Sequence, residues 1–261
     1  MNSLVLMRAV PDVVEELEIA ADGKSLDRDT IRAIVCETDD HALEEALLLK
    51  ERHGGTVSVM AMEADGVDEI LYSALAKGAD GAFKIATGEM AHSTRARAAL
   101  FASVIANHPV LRSVDLVLTG VQAIDDLDGI LAPLVAHQLG RPDLEIVTSV
   151  TLNEGAGTVT ALKELPRGVH GEYELALPAV LAIQAAEHPP RYVPVTKLRN
   201  TMKTAKIELL DGSASVPAMA AGIEVMAMNK PVLNGQAEML EGAPEVVCER
   251  LIGLLADRGL V

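Results

Sequence analysis

The chain has 261 residues, of which 49% are hydrophobic, so it is long enough to bury a sizeable core as a globular protein. Its formal net charge of −16 at pH 7 disfavours nucleic acid and anionic membrane as partners. Its two cysteines, Cys36 and Cys248, form neither a CxxC pair nor a Cys/His metal spacing. With no signal-peptide pattern and no apolar run long enough to span a bilayer, we expect a soluble, cytoplasmic chain with no direct membrane insertion.

Short β-prone runs alternate with helix-like segments over the first 120 residues. The strands are predicted at residues 3–7, 56–62, 81–85 and 114–120. The first helix is predicted to begin at Thr38, Asp39 or Asp40 and to stop at Gly54, since acidic residues favour a helix start and glycine a helix end. Two more helices are predicted at 67–77 and 93–107. This alternation predicts an α/β fold with a mostly parallel, doubly wound sheet.

The pattern changes after residue 140. Residues 148–152 and 158–162 flank the turn NEGAG and are β-like, and a further run follows at 171–184, so mixed or antiparallel strands are predicted there. Beyond Pro189 the chain is polar, basic and interrupted by proline, which predicts an exposed, extended arm. An amphipathic helix is predicted within residues 242–260. The predicted domains are therefore 1–190, an α/β nucleotide-binding domain, and 191–261, a partner-recognition loop and a C-terminal arm with its helix.

The stretch TGVQAIDD, residues 119–126, follows a buried strand and is the main candidate site. One interpretation is that Asp125 or Asp126 caps the next helix. The other is a nucleotide site, in which Gly120 permits close backbone approach, Gln122 bonds a base or ribose, and Asp125 accepts from ribose hydroxyls. The sequence contains no GxxxxGK[ST], GxGxxG, GxSxG or HExxH pattern, and the paired aspartates lack further metal ligands. We therefore predict no catalytic residue and no metal site.

Seven motifs in order carry a resemblance to a known family. They are RAVPD, DGKSLDRD, HALEEALLLKE, ALAKGAD, GVQAIDD, LPAVLAIQ and PPRYVPVTKLRNTMKTAKIE, and they cover nearly the whole chain. In this respect the sequence resembles the β subunit of electron-transfer flavoproteins. The resemblance implies an electron carrier rather than an enzyme, on an adenine-nucleotide-hydrolase-like sheet with an extended C-terminal arm ending in a helix.

The resemblance also implies cofactors and partners. The β subunit would pair with an α subunit, share FAD with it, and hold AMP or a second FAD in its own pocket. Electrons would come from acyl-CoA or other flavin dehydrogenases and pass to a quinone oxidoreductase or a similar acceptor. The residues implied in cofactor binding are Leu6, Met7, Val10, Pro11, Asp12, Val13, Cys36, Glu37, Thr38, Asp39, Met62, Gly120, Val121, Gln122, Ala123, Ile124, Asp125, Asp126, Gly129, Ile130 and Leu131. Those implied in binding the dehydrogenase are Tyr192, Val195, Lys197, Leu198, Arg199 and Met202.

Two alternatives stay open on the sequence. A stand-alone adenine-nucleotide-binding protein of the universal-stress or hydrolase type would share the sheet and act without a flavoprotein partner. An inert scaffold subunit with an empty pocket would also fit, because Leu127, Ile130 and Leu131 are apolar where a phosphate site is expected, and Asp128 would repel a phosphate. Backbone N–H groups at a helix start could still bind a phosphate without any polar side chain.

Overall fold

A computed structural model describes residues 1–27, 29–87, 93–212, 225–232, 235 and 237–261. The chain divides into two compact units, Met1–Met226 and Ala227–Val261. The strands are β1 (Asn2–Met7), β2 (Ala9–Pro11), β3 (Ala33–Val35), β4 (Thr56–Met62), β5 (Gly81–Ala86), β6 (Leu116–Gly120), β7 (Asp143–Asn153), β8 (Thr158–Leu165), β9 (Val169–Ala176), β10 (Ala179–Ile183) and β11 (Glu208–Asp211). The helices are α1 (Glu37–His53), α2 (Val67–Lys77), α3 (Thr94–Asn107), α4 (Leu131–Leu139), α5 (Val195–Thr204) and α6 (Pro244–Asp257).

The first unit is built on one large sheet. Within the described residues it has nine strands in the order β11-β5-β4-β1-β6-β10-β7-β8-β9, and β2 and β3 form a separate antiparallel hairpin. The strands from β11 to β7 run parallel, and β8 and β9 extend the sheet as antiparallel neighbours. The predicted mostly parallel α/β fold with added antiparallel strands is thus confirmed.

Helices cover both faces of this sheet. In β1, Val5 and Met7 face one hydrophobic cluster with α1 and α2, whereas Leu4 and Leu6 face a second cluster with α3 and α4. A strand buried on both sides reads as a continuous apolar run, which explains the sequence LVLM. The chain has only two phenylalanines, and both lie in the second cluster. Elsewhere Ala, Val, Leu and Ile fill most of the core.

Several predicted boundaries are confirmed. α2 ends at Lys77 with Gly78 as its C-cap, whose backbone N–H bonds the carbonyls of Ala74 and Leu75, and α3 covers the predicted third helix. α1 begins at Glu37, with Cys36 as its N-cap, rather than after a side-chain cap at residues 38–40. The reason is that Asp39 turns inward and accepts a hydrogen bond from Gly120 of β6.

The segment after Pro189 differs from the predicted extended arm. Residues 195–204 form α5, and β11 pairs with β5 in parallel register from Glu208 opposite Phe83 to Asp211 opposite Ala86. The prolines and polar residues of this segment indicate neither element. β11 in particular is ordered by pairing with β5, a strand more than 100 residues earlier. The part of the arm at 213–224 lies outside the described residues.

The second unit contains the predicted C-terminal helix, α6. Val246, Leu251 and Ile252 are exposed apolar side chains on it. Nowhere in the described ranges is a helix both long and apolar enough to cross a membrane.

Candidate functional site

The site predicted at TGVQAIDD lies where the strand order switches. From β1 the chain builds β4 and β5 on one side, and it then crosses to β6 on the other side of β1. Open parallel sheets bind ligands in the crevice outside the carboxyl ends of their strands at such a point. Here Arg8 directly follows β1, and Gly120 is the last residue of β6.

Gly120 allows β6 to dock against the start of α1. Its N–H donates to Asp39 Oδ1 at 2.8 Å, and Thr38 Oγ1 donates to the carbonyl of Gln122 at 2.8 Å. A Cβ on Gly120 would lie 2.1 Å from Thr38 Oγ1 and 2.5 Å from Asp39 Oδ1. Real Cβ atoms do not approach polar atoms this closely, so the docking requires glycine.

Two arginines and two aspartates meet at this point and form what we call the Arg–Asp cluster: Arg8, Asp39, Arg97 and Asp126. Asp39 is fully buried and accepts from the backbone N–H of Arg8 at 2.9 Å and from Arg8 Nε at 3.3 Å. Asp126 Oδ2 accepts from Arg8 Nη1 at 3.1 Å and from Arg97 Nη1 at 3.3 Å. Through these hydrogen bonds the cluster ties α1, α3 and the loop after β6 to the end of β1.

Arg8 has one nitrogen to spare. Its side chain is 9% exposed, yet Nη2 is buried and has no hydrogen-bond partner among the described residues. Burial by itself lowers the pKa of the guanidinium, but the neighbouring carboxylates of Asp39 and Asp126 raise it above its ordinary value. Arg8 therefore stays charged. Because a buried unpaired donor is costly, this nitrogen fits an acceptor atom of a bound ligand.

A small apolar cluster backs the polar one. Val10 of the β2–β3 hairpin, Cys36 and Ala123 pack together in the core, and Ile34 lies against them. The Cys36 N–H donates to the carbonyl of Arg8 at 3.0 Å, which fixes the start of α1 beside β1. Burial raises the pKa of the Cys36 thiol, so it lines the site without being a reactive thiolate.

The loop between β6 and α4 tests the helix-capping interpretation of the paired aspartates. α4 begins at Leu131 with Ile130 as N-cap and no side-chain cap, so neither Asp125 nor Asp126 caps it. Helix capping was the wrong interpretation, because Asp126 is held by the two arginines of the Arg–Asp cluster. The backbone turns at Leu127, with φ 51°, and at Gly129, with φ 60°. Ile124, Leu127 and Ile130 are left exposed at the mouth of the site.

The other residues predicted to bind cofactor fall into three groups. Leu6 and Met7 are buried in the core, and Met62 packs against the second hydrophobic cluster. Their side chains therefore support the ends of β1 and β4 and do not line an open pocket. Pro11 and Asp12 lie at the end of β2, followed by the exposed Val13. Glu37 is exposed on the first turn of α1, and Val121 follows β6, its N–H bonding Ile183 O at 3.0 Å.

The residues predicted to bind a dehydrogenase lie on α5 or just before it. Tyr192 is 82% exposed and Val195 is 55% exposed, and Met202 is also exposed. Lys197 and Arg199 are exposed, whereas Leu198 is half-buried. Five of the six residues thus lie on one helix without fully buried residues, and Tyr192 lies three residues before its start.

Sequence reasoning missed Arg8 and Arg97 as site residues. Arg8 belongs to the motif RAVPD, and its place directly after a buried strand is an indication of a site at the carboxyl end of that strand. Arg97 follows the N-terminus of α3, where a cation opposes the helix dipole. Its unfavourable place in the helix was the available indication that a carboxylate lies nearby.

The chain is thus an α/β protein with a doubly wound sheet, and its candidate site lies at the switch point of that sheet. The family model described as electron transfer flavoprotein domain matches residues 24–215. The chain belongs to the electron transfer flavoprotein family.

Curated relatives extend this match over the whole chain. The chain is 28% identical to "Electron transfer flavoprotein subunit beta" of Methylophilus methylotrophus over 98% of both chains. It is also 28% identical to the proteins of the same name from Bacillus subtilis and Thermoanaerobacterium thermosaccharolyticum, over 100% of each chain. The resemblance to the β subunit predicted from the sequence is confirmed.

Proposed function

We propose that this chain is the β subunit of a heterodimeric electron-transfer flavoprotein and that its switch-point site holds AMP or a second FAD. The observation that carries the proposal is the buried, unpaired Nη2 of Arg8 at the carboxyl edge of β1. A nucleotide supplies the acceptor oxygens that this nitrogen lacks, and the edge is where α/β sheets bind such ligands.

The chain's own residues would bind and orient the nucleotide. Gly120 lets the backbone after β6 lie close to α1, and the Val10–Cys36–Ala123 cluster forms an apolar floor. The loop after β6 offers Leu127, Ile130 and Leu131 instead of polar side chains, so a phosphate would depend on Arg8 and on backbone N–H groups. Asp128 works against a phosphate and limits the tightness of binding.

The flavin that α and β would share supplies the electron-accepting and electron-donating chemistry. Within the β subunit, Val10, Pro11, Asp12 and Val13 are proposed to face that flavin. We propose that residues 192–202 contact an acyl-CoA dehydrogenase or another flavin dehydrogenase. A quinone oxidoreductase or a similar protein would then take the electrons. The exposure of Tyr192, Val195 and Met202 supports the proposal that this surface contacts a partner protein.

The test is co-expression with an electron-transfer flavoprotein α subunit, purification of the complex, and chromatography of the nucleotides released on denaturation. We expect a stable heterodimer that releases FAD together with either AMP or a second equivalent of FAD. Release of a single equivalent of FAD, without AMP, would contradict the proposed nucleotide site in β. Failure to associate with any α subunit, combined with ATP binding by the isolated chain, would instead favour a stand-alone nucleotide-binding protein.

A further inference from the structure

Helix α1 holds a second part of the chain through side chains that the nucleotide site does not use. Three backbone N–H groups of the segment 186–191 donate to side chains of this helix. The bonds are Ala186 N–H to His41 Nδ1 at 3.1 Å, Glu187 N–H to Glu45 Oε2 at 3.2 Å and Arg191 N–H to Glu44 Oε2 at 3.0 Å. The segment is therefore fixed to α1 over its length, although it has no regular secondary structure.

The strongest of these contacts is between Glu44 and Arg191. Glu44 is 4% exposed, and its two oxygens accept from Arg191 Nε at 2.9 and 3.1 Å and from Arg191 Nη2 at 2.7 Å. With the Arg191 backbone N–H, one carboxylate receives donors from both the main chain and the side chain of the same residue. Bidentate, charge-assisted pairs of this kind fix geometry as well as adding free energy. Arg191 Nη1 also reaches the exposed Glu51 at 2.7 Å.

The fixed segment leads directly into α5. Tyr192 follows Arg191, and the helix begins three residues later at Val195. α5 buries none of its residues fully, and its main contact with another helix is with α2. The pairing of β11 with β5 holds the chain beyond the end of α5, and the contacts of segment 186–191 with α1 hold the chain before its start. Its surface joins exposed apolar side chains to the cations Lys197, Arg199 and Lys203 in a chain whose net charge is −16.

We propose that Glu44 and Arg191 are positioning residues that hold α5 ready to dock on an acidic protein surface with an apolar recess. This inference rests on the proposed function, because it takes the docking protein to be the flavin dehydrogenase. The physical reason is preorganisation: a surface already fixed before encounter loses less conformational freedom on binding. The same helix, α1, begins at the nucleotide site and fixes the partner surface two turns further on.

The test uses the complete complex with its α subunit, and the initial rate of its reduction by a substrate-reduced flavin dehydrogenase. Glu44→Gln removes the charge that organises Arg191. We expect its KM for the carrier to rise about tenfold, as for loss of one charge-assisted hydrogen bond, with kcat unchanged. Flavin content and the flavin absorption spectrum should also stay unchanged. Arg191→Lys keeps the charge without the bidentate fork and should give an intermediate KM.

Glu51→Gln is the matched control, because it removes the exposed outer partner of Arg191 and leaves the Glu44 pair intact. Its KM should stay within about twofold of wild type, as expected for an exposed ion pair. An unchanged KM in both Glu44→Gln and Arg191→Lys would overturn the inference, and so would a fall in kcat with loss of flavin, which marks a merely structural role. A wild-type complex that no flavin dehydrogenase reduces would overturn the proposed function as well, and this outcome is distinct because wild type itself then shows no reduction.

Discussion

Arg8 shows how a single residue can serve the fold and a ligand together. Three of its N–H groups bind Asp39 and Asp126, and the remaining nitrogen, Nη2, is buried with no partner among the described residues. If Arg8 served only to neutralise the aspartates, a lysine could replace it. The guanidinium differs from an ammonium group in offering five donors in a fixed plane, so it can hold two carboxylates and still reach a third acceptor.

We expect Arg8→Lys to weaken nucleotide binding while the fold is kept. Lysine retains a positive charge beside Asp39 and Asp126 but loses the spare donor. A hydrogen bond to a charged group is worth about 1.5–3 kcal/mol, so the Kd for the bound nucleotide should rise about tenfold or more. Equilibrium binding to the heterodimer stripped of its β-subunit nucleotide measures this directly.

Arg141→Lys provides the control for that experiment. Arg141 also has a buried nitrogen without a partner in the described part of the chain. It lies just before β7, at the amino ends of the parallel strands, whereas Arg8 lies at their carboxyl ends. Its Kd should match that of wild type. Equal weakening in both variants would show that loss of an arginine acts through general destabilisation and not through the nucleotide.

At the scale of elements, α1 connects the two proposed surfaces, and its contacts should respond to pH. Burial by itself would raise the pKa of Glu44, but hydrogen bonds from the Arg191 side chain and backbone lower it below the ordinary value of 4.5. A carboxylate whose pKa is lowered by folding contributes stability above its unfolded pKa, and this is lost as pH falls through the folded pKa. The Glu44–Arg191 pair should therefore persist at neutral pH and break only in acid.

The measurement is an NMR titration that follows the Arg191 backbone amide and Nε–H signals. We expect their chemical shifts to stay constant from pH 7 to about 5 and to move below pH 4.5. The same titration on Glu44→Gln should lack this step. A midpoint above 4.5 in wild type would contradict the structural account of the pair.

The elements also show what local sequence can predict. α2 was located from Val67 to Gly78 because an apolar stripe and a stop glycine are local features. The run LPAVLAIQ was recognised as β-prone, but its place between β6 and β7 was not, because nothing in the run itself specifies its neighbours. In the same way, Gly120 and Asp126 belong to one local motif and can be predicted together. Arg97 lies on α3, about 30 residues earlier in the sequence, and contacts Asp126 only in the folded chain.

At the scale of the whole molecule, charge is distributed unevenly. The net charge is −16, but Arg191, Lys197, Arg199, Lys203 and Lys206 lie within 16 residues of one another. Such a chain repels polyanions over most of its surface while offering a local basic patch to an acidic protein. Its long-range field and its local contact surface therefore have opposite signs.

When the partner is a polyanion, we expect repulsion by the net negative charge to exceed attraction by the basic patch. In about 0.15 M salt the Debye length is about 8 Å, so local attraction is weakened and binding to nucleic acid needs many phosphate contacts. The purified protein should therefore pass through a heparin column and fail to sediment with anionic vesicles at this salt concentration. Retention that disappears when Lys197 and Arg199 are both changed to Gln would show that the patch prevails instead.

The position of β10 has a consequence for how the protein is made. β10, residues Ala179–Ile183, lies between β6 and β7, both of which leave the ribosome earlier. While residues up to 178 are being synthesised, the β7–β8–β9 meander can form from neighbouring segments, but it cannot join the rest of the sheet. The nascent chain thus exposes two unpaired strand edges until a single five-residue strand emerges and closes the gap between them. The two parts of the sheet are thus joined from its interior, and only β11 is added afterwards, at the outer edge beside β5.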